Sequence, residues 1–319
     1  MERRDVRKSR WFEDVADYFD LDSSLLQRAV PAARMEEEDQ PRDVREAREL
    51  LKRRFMRPES ITLLERVRTS PVAQVSDLER SASWKEYIFL CINAEQNAFD
   101  RMSFYEGILR CIVRPLVDYK PLPVVVDYGC GSSLVTRMIA QDYGERVMTI
   151  SVDVAKYAVE FSVARNRLYN PQARGIVLED VLAPVDLRDV DLILAYSVFE
   201  HLPNSTRQIQ GLIDALSPDG LLVENYAGHS RAAPHKSDTW DAYRHRDVNL
   251  DSIRDQMVLL HGTLPRRREG AYEADNRERY WIRMGAAAAL REAVRSELRR
   301  EFSLPRRLLR KAGRFVPGR

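Results

Sequence analysis

The stretch Pro123-Val124-Val125-Val126-Asp127-Tyr128-Gly129-Cys130-Gly131-Ser132-Ser133 constrains this chain more than any other. Three consecutive valines form a short, apolar, β-branched run, the pattern of a strand buried on both faces of a parallel sheet. An acid, two glycines one residue apart and two small hydroxyl residues follow at once, and Leu134–Asp142 then reads as a helix. Strand, glycine turn and helix in that order bring backbone close to a ligand at the carboxyl end of a sheet. The glycines permit conformations and an approach that a Cβ would block.

A full dinucleotide fingerprint would place a third glycine where Leu134 stands. Its absence, with Asp127 ahead of the turn, favours a ligand without a pyrophosphate. Val147–Val152 reads as a second apolar strand closed by Asp153, 22 residues after Gly131. An acid at that strand tip, followed by Val154, is placed to accept hydrogen bonds from ribose hydroxyls. Gly175–Leu178 reads as a third strand ending in Glu179-Asp180-Val181. Asp191–Ser197, with Tyr196 and Ser197 at its end, reads as a fourth and runs into Val198-Phe199-Glu200-His201-Leu202-Pro203.

From about Pro123 to Tyr226 this pattern resembles a class I S-adenosylmethionine (SAM)-dependent methyltransferase. The family's glycine loop matches Asp127-Tyr128-Gly129-Cys130-Gly131, and its ribose-binding acid matches Asp153. Its adenine-contacting acid matches Asp180, with Glu179 a second claimant. Its "EHLP" segment matches Glu200-His201-Leu202-Pro203, and its turn into a fifth strand matches Ser217-Pro218-Asp219-Gly220-Leu221-Leu222-Val223. The resemblance covers about a third of the chain. It implies an α/β fold, a Rossmann-like, mostly parallel sheet flanked by helices, with SAM as cofactor. The cofactor residues it implies are Asp127, Gly129, Cys130, Gly131, Asp153, Val154, Asp180, Val181, Tyr196 and Ser197.

The helices between these strands read as Leu134–Asp142, Ala155–Arg165 and Ser205–Leu216, the last capped by Asn204 or Ser205. Strands alternating with helices imply right-handed crossovers and a ligand crevice at the strand carboxyl ends. Before residue 121 no strand is evident, and Ser83–Phe99 and Ser103–Val117 read as amphipathic helices. We read residues 1–120 as a helical N-terminal extension, which family members use as a lid. Tyr105 is either core or a contact to the methionine end of the cofactor. Residues 121–285 form the SAM-binding domain, and 286–319 a helical basic tail.

A chain of 319 residues with 44% hydrophobic and 31% charged residues has ample material for a core. No apolar run approaches the roughly 20 residues needed to span a bilayer, and the charged start Met1-Glu2-Arg3-Arg4-Asp5 precedes no signal core. Cys91, Cys111 and Cys130 make neither a disulfide framework nor a zinc site. A cytoplasmic location is expected. From Pro265 to Arg319 there are 16 Arg and Lys against 7 Asp and Glu, a local balance of +9 in a chain whose total is +2. Gly285–Phe302 reads as a helix and Pro305–Val316 as a basic amphipathic stretch, either a solvated end or a peripheral contact with the inner membrane surface. No aromatic-rich stacking platform accompanies the charge, so nucleic acid is not the expected partner.

After Tyr226 the segment to Trp240 is polar and aperiodic. Asp251–Leu260 reads as a helix capped by Asn249, and Arg279–Met284 as a strand without an evident partner. Methyl transfer needs the acceptor lone pair held in line with the bond that breaks. A base helps where a proton must leave. Histidine suits that task near neutral pH, and His229 and His201, which follow the fifth and fourth strands, are the candidates, ahead of His235 and His245. Glu224 and Asn225 are either substrate-orienting or capping residues. His235, Asp238 and Asp241 match no metal motif, so no metal is expected. The available bases and the absence of an Asn/Asp-Pro-Pro-Tyr signature point to a small-molecule oxygen acceptor. A SAM-binding scaffold without turnover and an NAD-dependent oxidoreductase are the alternatives.

Overall fold

Val124–Tyr128 (β1) is an interior strand of a seven-stranded sheet in the computed structural model. The structure describes residues 102–131, 133–180, 182–226, 239–262 and 278–302, the short pairs 267–268 and 271–272, and Arg42 with Glu46. The further strands are Met148–Asp153 (β2), Arg174–Val177 (β3), Val190–Ala195 (β4), Leu216–Glu224 (β5), Met257–His261 (β6) and Arg279–Arg283 (β7). Their order across the sheet is β3-β2-β1-β4-β5-β7-β6. The first five are parallel, and β7 runs antiparallel between β5 and β6. A separate two-residue pairing joins Arg267–Arg268 to Ala271–Tyr272.

Side-chain alternation divides the interior into two cores, one on each face of the sheet. Val125, Leu192, Leu194, Leu221, Val223, Tyr280 and Ile282 face one core. It is completed by helices Met102–Ile108 (α1), Arg114–Tyr119 (α2), Leu134–Tyr143 (α3) and Ala288–Phe302 (α7). Val126, Val152, Ile193, Ala195, Leu222 and Trp281 face the other, under Ser205–Ala215 (α5) and Trp240–Gln256 (α6). Lys156–Arg167 (α4) crosses from β2 to β3. β4 is buried along its whole length because both its faces meet a core.

The expected helix Ser103–Val117 forms, as α1 and α2 joined by one π turn over Leu109–Val113. The wide turn falls just before Pro115, whose ring would crowd the carbonyl four residues back and which has no N–H to give it. Ile108, Cys111 and Ile112 are buried as the periodicity requires. The neighbouring stretch Ser83–Phe99 lies outside the described residues. Among the described residues, no helix is long and apolar enough to cross a membrane.

The region beyond Tyr226 departs from the sequence reading. The helix there is α6, which starts at Trp240 and stops at Gln256, and Met257–His261 is a strand. Thr239 caps α6, its Oγ1 accepting from the Ala242 N–H at 3.1 Å. Asn249 is no cap: it is buried inside the helix and donates to Ser205 Oγ and Tyr226 Oη. The strand expected over Arg279–Met284 forms as β7, and its missing partner is β6. Neither Asn204 nor Ser205 caps α5 through its side chain. Asn204 instead adopts φ 59° and donates to the Leu182 carbonyl, while Asp241 Oδ2 accepts from the Ser205 N–H at 2.6 Å.

β5 and β7 are joined by an ion pair with both side chains fully buried. Arg279 Nε and Nη2 donate to Glu224 Oε1 and Oε2 at 2.6 and 2.9 Å. The same carboxylate accepts from Trp281 Nε1 at 2.9 Å and from the Tyr226 N–H at 2.5 Å. Removing one member of such a pair leaves a buried charge uncompensated, at a cost of about 3–5 kcal/mol. Urea unfolding of Arg279→Met should show a loss of that order. The double variant Glu224→Gln, Arg279→Met should recover about half of it, because the glutamine amide is uncharged and keeps an acceptor for Trp281.

Candidate active site

The carboxyl ends of β1, β2 and β4 carry the residues that the sequence singled out. β1 ends in the turn Gly129-Cys130-Gly131, whose first two N–H groups donate to the Val152 carbonyl at 2.8 and 3.0 Å. Gly129 has φ +70°, and a Cβ there would lie 2.5 Å from Val198, so the β4 loop packs directly on this glycine. Gly131 has φ +49°, and a Cβ there would meet nothing within 4 Å among the described residues. Its Cα therefore borders open space at the sheet edge. One glycine serves packing and the other leaves room.

Two acids hold this turn from below. The Gly131 N–H donates to Asp153 Oδ2 at 2.8 Å, and the Ala155 N–H donates to Asp153 Oδ1 at 3.0 Å. Burial pushes the Asp153 carboxyl up, and hydrogen bonds from Ala155, Gly131 and Val154 oppose the shift. Asp127 lies deeper and accepts from Ser133 Oγ at 2.9 Å. Ser133 starts α3 with φ 58° and also contacts Thr136 Oγ1 and Ser151 Oγ. Burial raises Asp127 to about 7; the Ser133 bond lowers it and nearby Asp153 raises it.

The remaining expected cofactor residues separate into distinct surroundings. Cys130 is buried among Val159 and Val163 of α4, with Sγ 3.5 Å from the Gly131 carbonyl oxygen, so its side chain does not face the crevice. Val154 follows Asp153 and is half-buried. Asp180 is exposed beyond β3 and turns its carboxylate onto the Leu182 N–H at 2.8 Å. Beside it Leu182 presents an exposed apolar side chain. Val181 lies outside the described residues. Ser197, at φ 56°, has its N–H on Asn225 Oδ1 at 2.5 Å, and Asn225 Nδ2 donates to Ser197 Oγ at 3.3 Å. Asn225 thus ties the tips of β4 and β5 together.

Tyr196 turns toward the N-terminal helix. Its ring lies 4.7 Å from that of Phe104 and 6.3 Å from that of Tyr105, and its hydroxyl donates to Glu278 Oε1 at 3.4 Å. Tyr105 is buried in the core, while Phe104 is half-buried. Phe104 was legible only as part of an apolar helix face. Glu278 was missed, although it bounds a strand at this edge as Asp153 bounds β2.

Among the candidate bases, His201 sits half-buried in the short 3-10 turn Phe199–His201 after β4. His229 and His235 lie outside the described residues. His245 is on α6, exposed, 3.2 Å from Asp241. Asp241 is engaged by Ser205 and His245; burial works against its ionisation, but these contacts prevail and hold its carboxyl below the usual range. No group of three metal-ligating side chains gathers among the described residues. Glu224 is consumed by Arg279, so it orients no substrate directly.

These residues fit a nucleoside–amino acid ligand. Gly131 leaves open space at the turn, Asp153 ends the neighbouring strand, and Asp180 with Leu182 offers a carboxylate beside an apolar surface. Residues 126–222 match the model of a family described as "Methyltransferase domain". A curated relative, (S)-coclaurine N-methyltransferase of Thalictrum flavum subsp. glaucum, is 29% identical over 112 residues. That alignment takes in 35% of this chain and 30% of the relative's length. Among solved structures, magnesium protoporphyrin IX methyltransferase from Synechocystis PCC 6803 with bound SAH is 12% identical. It covers 74% of this chain and 99% of its own at a TM-score of 0.41. A SAM-dependent methyltransferase from Aquifex aeolicus is 16% identical and covers 56% of this chain and 93% of its own at a TM-score of 0.36. The family match over residues 126–222 takes in most of β1 and β5 and all of β2 to β4, and identifies that stretch as similar to a methyltransferase domain.

Proposed function

We propose that this protein binds SAM at the carboxyl edge of its sheet and transfers the methyl group to a small-molecule acceptor. The open space over Gly131, between the ends of β2 and β4, carries this reading. Asp153 and Val154 would hold the ribose, Asp180 and Leu182 the adenine, and the Gly129–Gly131 turn the amino-acid portion. Bound SAM supplies a methyl group already activated on a sulfonium. The work left to the protein is to orient the acceptor, exclude water and receive a proton. His201, in the turn that follows β4, is the histidine assigned to receive it in this reading.

The acceptor atom is oxygen or nitrogen, and a histidine base serves either. The presence of His201 therefore does not favour oxygen. The curated relative's name specifies an N-methyltransferase, which supports nitrogen as the second reading. A scaffold that binds SAM without turnover would share the same binding residues, and only turnover separates the two. The basic C-terminal stretch supports a peripheral membrane contact as a further proposal.

The geometry at the turn sets two expectations. Calorimetric titration with S-adenosylhomocysteine should show micromolar binding that falls at least about tenfold in Gly131→Ala and in Asp153→Ala. The Gly131→Ala cost in stability should stay near the ~1–2 kcal/mol of a left-handed alanine, since its Cβ enters open space. Gly129→Ala, which drives a Cβ against Val198, should destabilise more. Absence of binding by the wild type would overturn the cofactor reading.

Asp127 makes stability pH-dependent. Its folded carboxyl titrates at about 7 against an ordinary value of 3.8. A raised acid favours the folded state while protonated, so its contribution is present below about pH 4 and is lost as pH rises through 7. Asp127→Asn keeps the neutral form at every pH. The stability of wild type minus variant should therefore decline between pH 4 and 7, by at most about 4 kcal/mol, and flatten above. Urea titrations at half-unit pH steps would read this directly. A difference that does not change with pH would show that Asp127 ionises normally.

A further inference from the structure

The acceptor side of the crevice has a composition of its own. Phe104 from the first turn of α1, Tyr196 from the tip of β4 and Glu278 immediately before β7 converge over the end of β5. Phe104 also lies 6.5 Å from the ring of Tyr280, and His261 at the end of β6 lies 5.8 Å from that ring. Four elements distant in sequence thus bring aromatic rings together, and Tyr196 links them to the Glu278 carboxylate. Phe104, Tyr196, Glu278 and His261 are all half-buried.

A buried hydroxyl adjoins this group. The Tyr280 hydroxyl is buried and has no hydrogen-bond partner among the described residues. A buried donor left unsatisfied is costly and calls for a structural reason. Burial, then Glu278, then Cys111, Tyr196 and Glu301 all raise its pKa, so it stays a neutral phenol in a field set by acids. Aromatic faces and carboxylates share a preference for positive charge.

We propose, on the methyltransferase reading above, that Phe104, Tyr196 and Glu278 form a subsite for a protonated amine, so the acceptor is an amine-bearing small molecule. Glu278 supplies the counter-charge, and Tyr196 orients it through their 3.4 Å hydrogen bond. Phe104 and Tyr196 supply the ring faces. A neutral alcohol of the same shape gains neither the ion pair nor the cation–π contact, and leaves the carboxylate desolvated.

The experiment uses the full chain and two probes that differ only in charge, 2-phenylethylamine and 2-phenylethanol. Each is titrated calorimetrically with and without saturating S-adenosylhomocysteine at pH 7.5. The amine should bind at least about tenfold more tightly than the alcohol, as expected for one desolvated charge contact. Glu278→Gln should bring the two probes within about twofold of each other, and Phe104→Leu should weaken the amine selectively. In both variants the affinity for S-adenosylhomocysteine and the melting temperature should stay at wild-type values. Equal binding of the two probes, persistence of the preference in Glu278→Gln, or failure of the amine to bind would each overturn the subsite. Failure of S-adenosylhomocysteine to bind beside a normal amine preference would instead overturn the methyltransferase reading alone.

Discussion

The buried pair of Glu224 and Arg279 is the contact on which the carboxyl edge depends. One carboxylate accepts from the Arg279 guanidinium, the Trp281 indole and the Tyr226 N–H, and Arg279 Nη2 donates onward to the Tyr226 carbonyl. In a low-dielectric interior an ion pair is tolerable only when its remaining hydrogen-bonding capacity is met. Here those bonds come from the very residues that end β5 and begin β7. Glu278 and Tyr280 flank Arg279, so they take their places from it. Tyr226 carries the order further: its ring meets Phe199 edge-on and its hydroxyl donates to the Ala242 carbonyl. The turn holding His201 and the start of α6 are thereby fastened to the same carboxylate.

The glycine turn is held by different means. Its acids face inward, toward backbone N–H groups and Ser133, rather than standing clear in solvent. Asp153 therefore does two things at once. It fixes Gly131 through one oxygen and remains at the strand tip where a ribose would lie. Asp127 lies wholly beneath the turn and acts through Ser133 on the start of α3. A residue whose type suggested ligand contact is, in the fold, also a support for the turn.

The carboxyl edge of the sheet consequently has two unlike sides. Toward β2 and β3 it offers backbone, carboxylates and the apolar Leu182, a setting suited to a nucleoside. Toward β5 and β7 it is aromatic, with Glu278 among the rings. Tyr196 stands between them. Helix α1 takes part in the second side through Phe104, whose ring packs against Tyr196 at the end of β4.

Much of this was written locally. The valine run, the glycine turn and the strand-tip acids declare themselves within a few residues of each other, because a doubly buried strand needs unbroken apolar β-branched residues and a close turn needs glycine. Helices α3, α4 and α5 followed from their periodicity to within a residue or two. Met257–His261 did not, since a short apolar run directly after a helix fits either continuation, and only pairing with β7 makes it a strand. Nor could one chain segment show that Glu224 would meet Arg279, that Asp241 would cover the start of α5, or that Phe104, Tyr196 and Glu278 would share one place. The sequence by itself determined the sheet's parallel half and the cofactor turn, because those depend on short-range sterics and burial. The tertiary structure alone decided the antiparallel edge, the loop supports and the grouping of Phe104, Tyr196 and Glu278, because charge pairing and ring packing join residues far apart in the chain.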